Sequence, residues 1–357
     1  MPPTYRRIHP RFKLNGTSIS YEDLDEVSYS LIKEGDPHER DYGDFLLHWI
    51  DKETTVQVRT SGSTGMPKTI VLEKQHMVNS ALATGKFFDL KAGDSALLCL
   101  SGAHIAGKMM LVRAMALGLD LDWVEPTTTP LFSTIKSYDF CAMVPMQLQA
   151  SLTQISRIKT LIVGGAPLSK KLNEDVQNVP TSIYETYGMT ETITHIALRK
   201  VNHGPIDYFK TLPNVKIDKD ERNCLVINAP DLNASPLVTN DIVQLISDRE
   251  FKWLGRYDNI INSGGVKLIP EQIEHKLAPI IKSRFFVAGI PDEQLGLQMI
   301  LLVEGEIEDL ELSEKVKSIP TLEEYEIPKN IVFTKKFIET INGKISRTNT
   351  LAHILKS

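Results

Sequence analysis

The chain has 357 residues and a mass of 40.1 kDa, with 42% hydrophobic and 24% charged positions and a formal net charge of −5. That length suits a large domain with a smaller one beside it, and the mildly acidic balance leaves no electrostatic footprint for nucleic acid or an anionic membrane, so local cations must meet any anionic ligand. Cys99, Cys141 and Cys224 are far apart, lack metal-ligand spacing and read as buried reduced thiols, and no apolar run reaches the roughly 18 residues of a membrane span, which points to a cytoplasmic protein without membrane insertion.

Residues 1–53 read as a lead-in, with helical apolar spacing over 21–34 and over 41–51, where Phe45, Leu46, Trp49 and Ile50 share a face. Nothing in it suggests chemistry. The period-two stretch 54–59 and the β-branched stretch 68–72 then predict two strands, joined by Thr60-Ser61-Gly62-Ser63-Thr64-Gly65-Met66-Pro67-Lys68. Hydroxyls, glycines and a closing lysine suit a loop that wraps backbone N–H groups and a cation around a polyphosphate. Pro67 stands where the nucleotide-hydrolase phosphate loop needs glycine, and it has no N–H to donate. Because the loop joins strand to strand, a phosphate here would rest on loop amides and not on a helix dipole. Met alone, such a Ser/Gly-rich loop is usually a plain hairpin.

A helix over 73–88, a buried strand over 95–100 and a helix over 108–117 follow, with Ser101-Gly102-Ala103-His104-Ile105-Ala106-Gly107-Lys108 at the strand's carboxyl end, where open α/β sheets keep ligands. The alternation repeats with strands over 121–124 and 140–144 and a helix over 145–154. The apolar run 160–163 enters Gly164-Gly165-Ala166-Pro167-Leu168-Ser169, and a strand over 182–184 enters Glu185-Thr186-Tyr187-Gly188-Met189-Thr190-Glu191-Thr192. Three polar strand ends are thereby expected on one edge of one parallel sheet. From about residue 202 the segments 215–217, 224–227 and 242–246 read as antiparallel strands of a small barrel-like part.

The stretch 251–259 reads as a boundary, which divides the chain into a large domain, 1–255, and a mobile domain, 256–357. The second has helices over 271–277 and 312–319, strands over 285–289, 299–303 and 331–333, and a tail bearing Asn342-Gly343-Lys344. The expected fold class is α/β, with parallel sheets and helices plus the barrel-like part, followed by a small α+β domain.

Six stretches now stand in order: 60–68, 164–168, 187–192, Thr239-Asn240-Asp241, Gly255-Arg256-Tyr257-Asp258 continuing to Ser263-Gly264-Gly265-Val266-Lys267, and Asn342-Gly343-Lys344. Together they resemble the core motifs of the adenylate-forming superfamily of acyl-CoA ligases, luciferases and peptide-synthetase adenylation domains, over residues 54–350. The resemblance implies that a carboxylate attacks the α-phosphate of ATP, releasing pyrophosphate, and that the acyl-adenylate then passes its acyl group to coenzyme A. It assigns Ser61, Gly62, Ser63, Thr64, Gly65 and Lys68 to the β- and γ-phosphates, Thr190 to the α-phosphate and Glu191 to Mg2+. Gly165, Ala166, Pro167, Tyr187 and Gly188 line the adenine side, with Tyr187 against the base, and Asp241 and Arg256 take the ribose hydroxyls. Lys344 bridges the substrate carboxylate and the α-phosphate, as the principal catalytic group. Asp258 is the hinge that exchanges Lys344 for a face carrying Gly264, Gly265 and Lys267 in the coenzyme A step.

Departures from that pattern are informative. Asn240 and Thr186 stand where the family commonly has glycine, and since Asn240 also tolerates positive φ, Asp241 is expected to keep its role. The phosphate loop begins at residue 60, earlier than in most members, which implies a trimmed N-terminal part. The stretches 101–108 and 192–199 look most like the o-succinylbenzoate–CoA ligases of menaquinone biosynthesis. Their substrate keeps a spectator carboxylate beside the one that is activated, and His104, Lys108, Thr194 and His195 are the candidates to read it. Another aryl- or short-chain acyl-CoA ligase is the alternative within the class. An amino-acid adenylation enzyme would want an acidic residue near position 100, and a non-catalytic homologue should have lost one of Lys68, Glu191, Asp241, Arg256 or Lys344.

Overall fold

The structure, a computed structural model, describes residues 3–60, 68–233, 235–305, 311–339 and 345–355. Among the described residues one sheet path runs in the spatial order Lys216–Lys219, Cys224–Asn228, Leu237–Leu245, Glu250–Arg256, Phe209–Thr211, His195–Lys200, Ser182–Gly188, Ile158–Val163, Tyr138–Met143, Ser95–Leu98, Asp120–Trp123, Lys13–Leu14 and Thr17–Ser18. Pairing is parallel from Ser182–Gly188 through Lys13–Leu14 and antiparallel from His195–Lys200 outward. The barrel-like part is therefore hydrogen-bonded directly onto the parallel strands, and Ile217, Leu225, Val243 and Phe251 enter the same core as Leu98 and Phe140.

The parallel strands read as unbroken apolar runs because both their faces are covered. Ala96, Leu98, Phe140, Ala142 and Ile162 point into one core, and Leu97, Cys99, Cys141, Leu161 and Val163 into another. The first core is closed by helices Lys74–Phe88 and Ile105–Leu117 and by the lead-in helices Leu24–Lys33 and Arg40–Ile50, the second by Leu131, Leu148, Ile155, Leu172 and Val176. All three cysteines are buried and free, with Cys99 Sγ 3.9 Å from Cys141 Sγ. No helix among the described residues is long and apolar enough to cross a membrane.

A second sheet runs Val266–Leu268, Ile261–Ser263, Gly296–Glu304, Phe285–Asp292, with Asn330–Thr334 parallel to Gly296–Glu304. It has its own core of Ile261, Leu268, Ile273, Leu301 and neighbours, and the chain passes from the first sheet to the second between Arg256 and Ile261.

Several elements differ from expectation in ways that matter at the sheet edge. Helix Ile105–Leu117 starts three residues earlier than the pattern suggests, with His104 extended at its N-cap. Strand Ser182–Gly188 runs through Tyr187 because His195–Lys200 pairs along it, where the sequence suggests a turn from Glu185. The single helix expected over 145–154 divides into Pro145–Ala150 and a 3-10 turn, Leu152–Arg157. Helix Arg347–Ile354, whose buried Thr350 accepts a 3.0 Å hydrogen bond from the Ile338 N–H, carries no strong apolar period and is visible only in the structure.

Candidate active site

Strands Thr55–Thr60 and Lys68–Glu73 form a hairpin in unbroken antiparallel register, from Thr55 opposite Glu73 to Thr60 opposite Lys68. Lys74 anchors its base: the side chain is fully buried, and Nζ donates to Asp51 Oδ1 at 2.7 Å and to the Glu53 carbonyl at 2.6 Å. Ser61, Gly62, Ser63, Thr64 and Gly65 lie outside the described residues, as does Lys344. The second strand of the hairpin packs against the turn Thr190–Thr192, which brings Lys68's strand and Glu191 to one edge.

On the next strand end, Gly165 has φ of +87°, which glycine adopts at no steric cost. A Cβ at Gly164 would lie 2.2 Å from Thr186 Oγ1, so the side chain that replaces a glycine at 186 is accommodated by the missing one at 164. Beyond Ala166 and Pro167, the Leu168 N–H donates to Glu185 Oε1 at 3.2 Å, and Arg199 holds the other oxygen of that carboxylate.

Asp241 collects the neighbouring donors. Tyr187 Oη donates to its Oδ2 at 2.6 Å, Trp253 Nε1 donates to Oδ1 at 3.1 Å, and the Arg256 guanidinium lies 3.5 Å away on the facing strand. Burial, reinforced by the Asp241 charge, pushes the Tyr187 phenol far above its ordinary range and keeps it a donor. Its ring packs edge-on to Phe251 at 5.1 Å. Tyr187, Asp241 and Arg256 therefore meet.

Arg256 also reaches Asp258 at 3.2 Å. Asn240 sits inside strand Leu237–Leu245 and not in a left-handed conformation, so its tolerance of positive φ is not used there. Its side chain is what matters: Nδ2 donates to both Asp258 oxygens at 3.2 Å, and Oδ1 accepts from Arg222 at 3.0 Å. Gly264 and Gly265, with φ of +56° and +85°, make the tight turn of hairpin 261–268, and Lys267 stands exposed on it opposite Asn262.

The turn after Glu191 is strained. Ile193 has φ of +68° and ψ of −57° while the Thr194 N–H donates to the Thr192 carbonyl at 2.8 Å, a γ-turn that β-branched residues rarely adopt. Gly188 permits it, since a Cβ there would lie 2.4 Å from the Thr194 carbonyl oxygen. Thr194 and His195 are thus turned onto helix Ile105–Leu117, where Arg113 Nη2 lies 3.4 Å from both Thr194 Oγ1 and His195 Nδ1.

Arg113 is 1% exposed, its Nε has no hydrogen-bond partner, and no carboxylate offsets it among the described residues. Burial alone pulls its pKa down to about 10. His195 Nε2 lies 3.3 Å from Thr84 Oγ1. Of the four residues expected to read the acid, Thr194 and His195 meet at this cation. His104 is exposed at the helix N-cap, and Lys108 turns the other way, donating to the Gly102 carbonyl and lying 5.7 Å over the Phe45 ring of the lead-in. Sequence reasoning missed Arg113; its signal is that it is the one charge after Lys108 in a helix otherwise apolar around its circumference.

Burial and the Arg113 charge hold His195 well below the ordinary histidine range, so it is neutral in the fold. Below about pH 6.5 the unfolded chain binds a proton that the folded chain refuses, and stability falls by up to about 1.4 kcal/mol per pH unit, with no such loss at higher pH. His195→Gln is expected to remove that slope. Melting curves of the two proteins from about pH 7.5 to pH 5 check it, and parallel curves would show that His195 does not titrate this way.

Residues 16–225 match the family model described as AMP-binding enzyme. Among curated proteins, the 2-succinylbenzoate–CoA ligase of Listeria monocytogenes is 26% identical, over 93% of this chain and 74% of its own length. A solved structure described as an acyl-CoA synthetase (AMP-forming)/AMP-acid ligase II-like protein from Dyadobacter fermentans is 35% identical over 92% of this chain and 98% of that one, with a TM-score of 0.62. The o-succinylbenzoate coenzyme A synthetase of Bacillus subtilis, solved in complex with ATP and magnesium ion, shares the fold with a TM-score of 0.69 at 19% identity, over 92% of this chain and 82% of that one. The family match spans more than half of the chain, and the chain belongs to the AMP-binding enzyme family.

Proposed function

We propose that this chain is an AMP-forming acyl-CoA ligase of the cytoplasm whose acid is an aromatic dicarboxylate, o-succinylbenzoate on the route to menaquinone being the best fit. The observation that carries the choice is Arg113, a buried guanidinium without a carboxylate partner among the described residues, beside Thr194 and His195. Leaving such a charge unpaired is costly, and a substrate that keeps a second carboxylate would supply the missing partner. The names of the curated relatives support the same acid.

In this assignment Asp241 and Arg256 hold the ribose, Tyr187 with Gly165, Ala166, Pro167 and Gly188 bounds the adenine, and the 61–65 loop with Lys68 takes the outer phosphates. Thr190 touches the α-phosphate, and Lys344 neutralises both reacting anions. Glu191 suits Mg2+: its carboxylate is exposed on the turn while its backbone carbonyl is fixed by Asn233 Nδ2 at 2.9 Å, and a hard ion sharing phosphate oxygens and waters asks for little more. Bound there, the ion would offset charge on the phosphates. The segment 256–357 would turn about Asp258 after adenylation and bring Gly264, Gly265 and Lys267 to the coenzyme A step.

Thioester formation from a panel of acids with ATP, Mg2+ and coenzyme A tests this reading, with o-succinylbenzoate expected to be used best. Arg113→Met is expected to lower kcat/KM for that acid by about 10²-fold, as for loss of one charged hydrogen-bonding partner, while changing a simple aromatic monocarboxylate by less than about threefold. Its Tm should not fall, because the substitution removes an unpaired buried charge. Equal losses on both acids would remove Arg113 from this role.

A further inference from the structure

Although the lead-in offers no group for chemistry, it reaches the loop that leads into the helix bearing Arg113. Tyr42, on helix Arg40–Ile50, is fully buried, and its hydroxyl donates to the carbonyl of Leu100, two residues past the end of strand Ser95–Leu98. Its ring also lies under Gly102: a Cβ there would be 2.6 Å from Tyr42 Cδ1 and 2.8 Å from Cε1. The ring cannot easily yield, because its other side is stacked on Trp123 with centroids 5.2 Å apart and planes within 12°, and Trp123 Nε1 is fixed by Glu39 Oε1 at 2.9 Å.

The far side of the loop is held from helix Ile105–Leu117. Lys108 donates to the Gly102 carbonyl while resting on Phe45, a second residue of helix Arg40–Ile50. Gly107 lies so close to Ser101 that a Cβ would meet its carbonyl oxygen at 2.2 Å. Loop and helix start therefore move together, and the same helix carries Arg113.

We propose that Tyr42 is a positioning residue for the acid: its hydroxyl and ring set the Leu100–Gly102 backbone, and through it the start of the helix that bears Arg113. This deepens the proposed function and rests on it. Tyr42 touches no substrate. Its effect is geometric, and a displacement of about 1 Å at a binding loop can cost up to about 10²-fold in rate.

The test is steady-state kinetics on the whole chain with ATP and o-succinylbenzoate. Tyr42→Phe, which keeps the ring and loses only the donor, is expected to raise KM for the acid about fivefold and leave KM for ATP within about twofold. Gly102→Ala is expected to raise the acid KM by at least about tenfold in the wild-type background and by much less in a Tyr42→Ala background, since the two closest contacts are gone and only that with Asp41 Cβ at 3.0 Å remains. Equal shifts in both KM values, or additive effects of the two substitutions, would overturn the proposal. Wild-type protein that releases pyrophosphate with no acid of the panel would instead overturn the function on which it rests, and the positioning role with it.

Discussion

Asp241→Ala is expected to raise KM for ATP by more than about 10²-fold and to lower stability by roughly 2–4 kcal/mol, because in the proposed assignment one carboxylate serves both nucleotide and fold. Removing it takes the Asp241 acceptor from the Tyr187 hydroxyl and the Trp253 indole N–H, both half-buried. Arg256 also loses its partner, but that side chain is 41% exposed and still reaches Asp258, so it adds little to the penalty. Asp241→Asn separates the two contributions. It retains the shape and one acceptor oxygen, but its amide N–H2 must face either Tyr187 or Trp253, so Tm should fall by less than in the alanine variant. The affinity for ATP should still drop sharply, since a ribose diol donates two O–H groups to a carboxylate and an amide accepts only through one oxygen. Melting curves and ATP saturation on both variants measure this. An unchanged KM for ATP in Asp241→Asn would confine the residue to a structural role.

The parts legible in the sequence are those where residue type alone dictates the chemistry. The 239–241 and 255–258 motifs are of this kind, and Tyr187, Asp241 and Arg256 meet as their motifs suggest, whereas the 61–65 loop lies outside the described residues. Direction was not legible. His104 and Lys108 lie four residues apart near one helix start, yet the first is exposed at the N-cap and the second is drawn over the Phe45 ring, because the lead-in packs on that side. Arg113 left only a weak signal, one charge after Lys108 in a helix otherwise apolar around its circumference, and it is the burial of its neighbours that shows the charge has nowhere to go. Asn240 was noticed for its backbone, while its amide on Asp258 is a contact between residues eighteen apart that no local pattern encodes.

Lys344→Ala is expected to reduce acid-dependent pyrophosphate release by about 10³-fold, the upper end of what a single transition-state contact supplies. The reaction joins a carboxylate to a triphosphate, two anions that repel until a cation stands between them. Other described cations have other places: Lys74 is committed to Asp51, Arg256 reaches Asp241 and Asp258, Lys68 is assigned to the outer phosphates, and Arg113 to the second carboxylate of the acid. Lys344 itself lies outside the described residues, but the frame on either side is firm. Glu339 and Ile345 pair as an antiparallel bridge, and Arg284 links Glu339 to Glu304 with contacts of 2.5 and 2.6 Å. The second half-reaction makes a different demand: the acyl-adenylate is a mixed anhydride whose carbonyl is already activated, so no free carboxylate has to be brought against a triphosphate, and the coenzyme A sulfur displaces AMP, whose phosphate takes the electron pair and gains one negative charge. Chemically prepared acyl-adenylate plus coenzyme A should therefore be converted by Lys344→Ala within about threefold of the wild-type rate. Measuring both half-reactions on one preparation decides the matter: a comparable loss in each would mean that the substitution disturbs the 256–357 segment as a whole, and that the charge bridging the two reactants comes from elsewhere.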